Sequence, residues 1–341
     1  MLYYLCREAH QYTIQSFLTA LPRSRRPRLE IASYERLFAT RRVPLGHLIF
    51  TDLDRLTHYE LEVAESAARA VIKRAPQARI YNGPAAVRLR YQLLRRLYEL
   101  GLNPIEALRV DDERVPSRFP VFIRREAEAL GPEPLHPLGP LLRNAEEYRL
   151  AVGQLRREGR NLAGLIALTF IDTKDKQGRY RKYGVIRVGD ALVPQHLLVS
   201  DSWIVKRTDD PIAADMIAEE QEFVIENPHA TALRPIFEEA GITFGRIDYA
   251  IGPRGPVIFE INTNPSLPRN LPETADGRAV RRRHVLATLL AAFAHMGEPP
   301  LVGGTVRLRP PAPEITQLYA PGLRRRLTHR LHAWRWKWFK Q

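Results

Sequence analysis

Gly245-Arg246-Ile247-Asp248-Tyr249-Ala250-Ile251, the turn Gly252-Pro253-Arg254-Gly255, and Pro256-Val257-Ile258-Phe259-Glu260-Ile261-Asn262 read as two strands around a Gly/Pro turn, a β-hairpin. Side chains two apart on a strand share a face, so Glu260 and Asn262 point the same way, and Asp248 on the partner strand can point at them. Two carboxylates and an amide oxygen are the hard donors that Mg²⁺ prefers, and an ion with so few protein ligands completes its octahedron with phosphate oxygens and water. On spacing alone, acidic residues alternating on an exposed strand describe a solvated hairpin equally well.

The longer string separates these readings. Gly-Arg-Ile-Asp at 245–248, the turn, and Phe-Glu-Ile-Asn-Thr-Asn-Pro at 259–265 resemble the magnesium hairpin of the ATP-grasp superfamily, above all D-alanine–D-alanine ligases and RimK-like ligases. The resemblance implies an α/β protein with α+β lobes: an ATP-grasp fold behind an N-terminal α/β pre-ATP-grasp domain. It also implies ATP and two Mg²⁺ ions as cofactors, Asp248, Glu260 and Asn262 as metal ligands, and Arg246 against the transferred phosphoryl group. Upstream, the family's two phosphate-contacting lysines correspond to Arg90, with Arg88 as the competing position, and Arg124. Guanidinium also binds phosphate, though with different geometry. The hinge corresponds to Leu168-Thr169-Phe170-Ile171, which lacks the family's acid and leaves backbone groups at Phe170 and Ile171 to meet adenine. Where RimK-like members carry Asp-Ile-Arg, this chain has Lys182-Tyr183-Gly184, and the basic loop around Lys182 is expected to face phosphates or an acidic substrate. The glycine-rich lid is reduced to Gly131 and Gly139 within 125–140. Asn264, Pro265 and Arg269 follow the metal strand toward the γ phosphate, with Arg269 a candidate for holding a substrate carboxylate. His196 is expected to be structural, and Trp203 and Lys206 to face substrate.

Around this centre the pattern is that of alternating strands and helices. A strand is predicted at 47–50, a helix at 59–75, a strand at 79–81 and a helix at 84–100 ending at Gly101. A strand at 121–123 and a helix at 145–158 follow. A strand at 162–171 is then expected to pair with 183–188 across a polar turn, before helices at 210–226 and 233–240. The resulting division is an N-terminal α/β domain (1–84), a linking helix and small lobe (85–171), a large lobe with the metal hairpin (172–298), a Pro-rich connector (299–322) and a basic amphipathic helix (323–341).

The chain has 341 residues, 45% hydrophobic and 26% charged, which excludes a disordered, collagenous or coiled-coil protein. Cys6 stands alone, so no internal disulfide or thiolate zinc cluster is available, and a reducing, cytoplasmic setting is expected. Residues 1–20 are interrupted by Arg7, Glu8, His10 and Gln11 and resemble neither a signal peptide nor a membrane span.

The net charge is +14, and residues 323–341 hold five Arg and two Lys with no acid. There, Leu323, Leu327, Leu331, Trp334 and Trp338 make one apolar stripe on a helix. That is the pattern of an interfacial helix on an anionic membrane, and equally of a helix packing on its own protein. With the tail accounted for, the remaining charge is moderate, and nucleic acid is not an expected partner.

The resemblance implies a ligase that joins a small-molecule or peptide carboxylate to an amine through an acyl phosphate, at the inner face of the membrane if the tail binds there. A homodimer is compatible with it. The same metal site would serve a kinase acting on a hydroxyl. The altered lysine, hinge and lid positions would suit a nucleotide-binding, membrane-associated protein without turnover.

Overall fold

The computed structural model describes residues 1–127, 140–208, 214–268, 279–301 and 303–308. The reduced lid, Arg269, most of the Pro-rich connector and the basic helix at 323–341 lie outside the described residues. The architecture is mixed α/β, with one parallel sheet and antiparallel sheets. Among the described residues, no helix is long and apolar enough to cross a membrane.

The N-terminal unit runs β1 (Leu2–Cys6), α1 (Tyr12–Thr19), β2 (Leu29–Ser33), α2 (Tyr34–Thr40), β3 (Arg42–Pro44), β4 (His47–Phe50), α3 (His58–Arg74) and β5 (Ile80–Tyr81). Its sheet has the order β2-β1-β4-β5, all parallel. Every residue of β4 is buried, as the uninterrupted apolar run of a doubly covered strand requires. Leu5, Leu48 and Phe50 pack with α2 and α3. Tyr4 and Ile49 pack on the other side with Ile14 and Phe17 of α1. The first turn of α3 is closed by a capping box, Thr57 with Glu60.

Next come α4 (Arg90–Glu99), β6 (Ala107–Arg109), β7 (Val121–Arg125), α5 (Ala145–Arg157) and β8 (Leu165–Thr169), with an antiparallel sheet in the order β6-β8-β7. The helix predicted from 84 begins only at Arg90. The chain before it is held elsewhere, since the Arg88 NH donates to the Ala240 carbonyl at 2.9 Å. That stretch passes so close to Gly241 that a Cβ there would stand 2.1 Å from the Ala86 oxygen, and Gly241 has φ +65°. Glycine is required at this helix end on both counts.

The larger unit contains β9 (Tyr180–Val188), β10 (Ala191–Ser200), α6 (Ala214–Glu226), α7 (Ala230–Ala240), β11 (Phe244–Gly252), β12 (Gly255–Asn262) and α8 (Ala279–Met296). Its antiparallel sheet has the order β10-β9-β11-β12. The expected pairing of β8 with β9 does not form. Both edges of β9 are taken by β10 and β11, and the loop after β8 carries the chain from the small sheet to the large one. Finally β13 (Thr305–Arg307) returns to pair antiparallel with β3, and Leu308, 4% exposed, joins the core beneath α3.

Candidate active site

In the hairpin, Arg246 lies opposite Asn262 and Asp248 opposite Glu260, and a bulge then leaves Phe259 as the extra residue before Tyr249 meets Ile258. The pairing puts Arg246, Asp248, Glu260 and Asn262 on one face. The bulge sits beside them, where such irregularities re-aim side chains.

Cations crowd both carboxylates. Arg246 grips Asp248 with Nε at 2.7 Å from Oδ1 and Nη2 at 3.4 Å from Oδ2, while Lys182 Nζ stands 3.7 Å from Oδ2. Glu260 is paired with Arg90, and Arg124 lies 3.6 Å away. Arg90 is itself fixed through Nη1, which donates to the Glu126 carbonyl at 2.8 Å. Burial alone would push the Glu260 carboxyl up; Arg90, Arg124 and Arg246 override it and hold it at about 2. Arg88, the competing position, reaches Glu239 on α7.

Two facing carboxylates and an amide oxygen form a hard-oxygen set that fits Mg²⁺ shared with phosphate oxygens, and too few ligands to hold the ion alone. No cluster of three or more His, Cys, Asp or Glu suited to a metal occurs among the described residues.

Asp248 and Glu260 close one end of a cavity of about 230 Å³ between the small and large sheets. Arg124 and Lys182 line it, as do Phe170 and Ile171. Its apolar wall is built by Phe122, Phe170 and Trp203, with Trp203 5.2 Å from the ring of Phe122 and 5.4 Å from that of Phe170. Lys206 lines this cavity as well. The Phe170 NH is engaged by the Pro120 carbonyl at 2.8 Å, because β7 and β8 continue their pairing to that point. Beside it Thr169 lines the cavity, is 3% exposed, and its hydroxyl has no protein partner.

A smaller recess on the other side of Glu260 is lined by Asp54, Arg55, Arg88, Arg90, Asn262 and Thr263. His196, on β10, lies over Gly184, where a Cβ would come within 2.6 Å of the imidazole. The glycine standing at the third position of the expected Asp-Ile-Arg is explained by that ring. Burial first, then Arg246, Lys182 and Arg281, lower the His196 value to about 3, so it is neutral and structural. Asn264 also differs from expectation: its side chain turns away from the cavity, to Asp52, Tyr4 and Thr13. The structure therefore brings together Arg90, Arg124, Phe170, Ile171, Lys182, Arg246, Asp248, Glu260 and Asn262; Arg269 is outside the described residues. Phe122 and Thr169 also line the cavity; Thr169 stands within the hinge string, but neither side chain was singled out by the sequence.

No protein-family model matches the chain, and no curated protein matches it. Among solved structures, the chain is similar to a RimK-domain ATP-grasp protein from Sphaerobacter thermophilus (14% identity, covering 86% of this chain and 98% of that one, TM-score 0.44). It is also similar to the D-alanine–D-alanine ligase of Bacillus anthracis complexed with ATP (11%, 88% and 99%, TM-score 0.45). A third is the ATP-grasp ligase PsnB complexed with a phosphomimetic variant of a minimal precursor, Mg and ADP (14%, 87% and 97%, TM-score 0.45). At these identities and TM-scores the chemistry has to be argued from the chain's own residues.

Proposed function

We propose that the chain is an ATP-grasp ligase that joins a carboxylate to an amine and releases ADP and phosphate. The observation that carries this reading is the Asp248–Glu260 cross-strand pair, lining a cavity together with the aromatic rings of Phe122, Phe170 and Trp203 and the cations Arg124 and Lys182. A base held against Phe122, Phe170 and Trp203 would run its phosphates toward those cations. Two Mg²⁺ ions held by Asp248, Glu260 and Asn262 would supply neutralisation of the β and γ phosphates.

A substrate carboxylate oxygen then attacks the γ phosphorus as the bond to the ADP oxygen breaks. An amine attacks the acyl carbon of the resulting acyl phosphate, the carbon–oxygen bond to phosphate breaks, and the amine proton passes to solvent. Arg246, set on the same strand face as Asp248, Glu260 and Asn262, is placed to stabilise the oxyanion of the tetrahedral intermediate. Arg90 and Arg124 hold the transferred phosphoryl charge.

Product analysis tests the reading. With a matching carboxylate and amine, ADP and free phosphate appear together and neither appears without the carboxylate. ADP with a phosphorylated hydroxyl and no free phosphate would mark a kinase instead, and bound nucleotide without turnover would overturn the ligase. For the tail, the Arg-rich Leu/Trp stripe of 323–341 supports peripheral contact with an anionic membrane. Full-length protein should co-sediment with anionic vesicles while a chain ending at Gly322 does not; equal binding of both would end that part of the proposal.

A further inference from the structure

Asn264 lies two residues past Asn262, and its carboxamide, in a residue 7% exposed, has every hydrogen-bonding position filled. Oδ1 accepts from the Tyr4 hydroxyl at 2.7 Å and from the Thr13 hydroxyl at 2.6 Å, the shorter of that hydroxyl's two contacts, the other being the His10 carbonyl at 3.0 Å. Nδ2 donates to Asp52 Oδ2 at 2.9 Å and to the His10 carbonyl at 3.4 Å. An amide has two lone pairs and two hydrogens, so the set is complete, and the hydroxyl donors on one side and the carboxylate on the other leave a single orientation. All four partners come from the N-terminal unit.

Asp52 anchors the arrangement. It is 1% exposed and sits at φ +52°, a left-handed conformation that Asp tolerates better than most residues. Its Oδ2 also accepts from the Arg7 NH at 2.9 Å, and its Oδ1 lies 3.3 Å from Arg55 Nε and 3.5 Å from His10 Nδ1. While its side chain is held in this way, the main-chain NH of Asn264 donates to Asn262 Oδ1 at 2.8 Å. That oxygen is one of the three donors assigned above to the metal, and the hydrogen bond uses only one of its two lone pairs.

We infer that the N-terminal unit sets the divalent-cation affinity of the hairpin, with Asn264 and Asp52 acting as positioning residues for Asn262. Partners of metal-ligating groups orient the donor atom, and their loss weakens metal binding 10–100-fold as a rule of thumb. Asn262 is otherwise exposed at the end of β12, so the Asn264 turn is what holds its amide on the site face. The inference rests on the metal reading of the proposed function.

The test is titration calorimetry of the full chain with ADP, with and without Mg²⁺. Asn264→Leu keeps the side-chain shape and removes all four of its hydrogen bonds. The double variant Tyr4→Phe with Thr13→Val removes only the two donors to Oδ1 and preserves volume. The Mg²⁺ concentration for half-saturation should rise about 10–100-fold in Asn264→Leu and severalfold in the double variant, while ADP affinity in chelator stays within twofold of wild type. A merely structural role would not separate these two quantities. Should Asn264→Leu fail to fold, the double variant decides alone. Half-saturation within twofold of wild type in the folded variants overturns the inference. Wild-type protein whose ADP binding ignores Mg²⁺ overturns the metal reading, and the inference with it.

Discussion

Glu260 stands where Arg90, Arg124 and Arg246 converge, so its charge balances the centre as well as offering a metal ligand. Glu260→Gln should leave the circular dichroism spectrum unchanged and lower Mg-dependent ADP release at least about 10²-fold, the scale on which removing one preorganised electrostatic partner acts. Near-normal release would remove the metal assignment. Gly184 is a second decisive position. Gly184→Ala drives a methyl into the His196 ring at 2.6 Å, and overpacking of this kind costs about 1–3 kcal/mol in urea unfolding. His196→Ala in the same chain should recover much of that loss, and no recovery would mean the clash lies elsewhere. At this scale the shared face of Arg246, Asp248, Glu260 and Asn262 was legible, because strand period and hairpin pairing bring them together, whereas reading them as a metal site came from the resemblance of the longer string. The direction of Asn264 was not legible, because the partners that turn it, Tyr4, Thr13 and Asp52, lie more than 200 residues away in the chain.

The elements around the cavity show where local pattern fails. Strand β8 and strand β9 each looked like half of one hairpin, yet β8 pairs back with β6 and β7 while β9 makes its hairpin forward with β10, and the loop between them was left to line the cavity. The start of α4 misled for a related reason: residues 84–89 have helical composition, but the Arg88 NH is claimed by the Ala240 carbonyl at the end of α7. Trp203, beyond β10, completes an aromatic wall whose other members come from β7 and the end of β8, and no periodicity links them. Trp203→Ala should weaken ATP binding by about 1–3 kcal/mol, the range for base stacking on an aromatic ring, as read by calorimetry; unchanged affinity would place the base elsewhere.

The same β8–β9 loop gives a pH signature. Burial nudges the Asp175 carboxyl up, and Arg181 with the NH groups of Arg179 and Gln177 outweighs that and holds it at about 2. Its folded value lies below the ordinary 3.8, so its stabilisation is present above that pH and lost as pH falls toward 2. Wild type should therefore exceed Asp175→Asn in urea midpoint at pH 7, with the gap closing between pH 4 and 2. A constant gap would show that the ion pair is not its source.

Across the molecule, one core runs from the N-terminal unit into the larger one. Tyr4 meets Phe244 edge-on at 5.5 Å, and Phe17 and Phe244 both pack on Phe293 of α8. The metal hairpin and the N-terminal sheet are therefore joined by apolar packing as well as by the Asn264 network. Leu308, after β13, joins the core beneath α3, and its change to Ala should cost about 2–5 kcal/mol as a buried truncation. Urea unfolding of the full chain would show it, and a negligible loss would mean that β13 contributes register without burial. Because β3 finds its partner in β13, a chain emerging from the ribosome presents its first unit with a strand edge uncovered until residue 307 has been made. An exposed edge of that kind invites pairing with other nascent chains until β13 arrives to cover it.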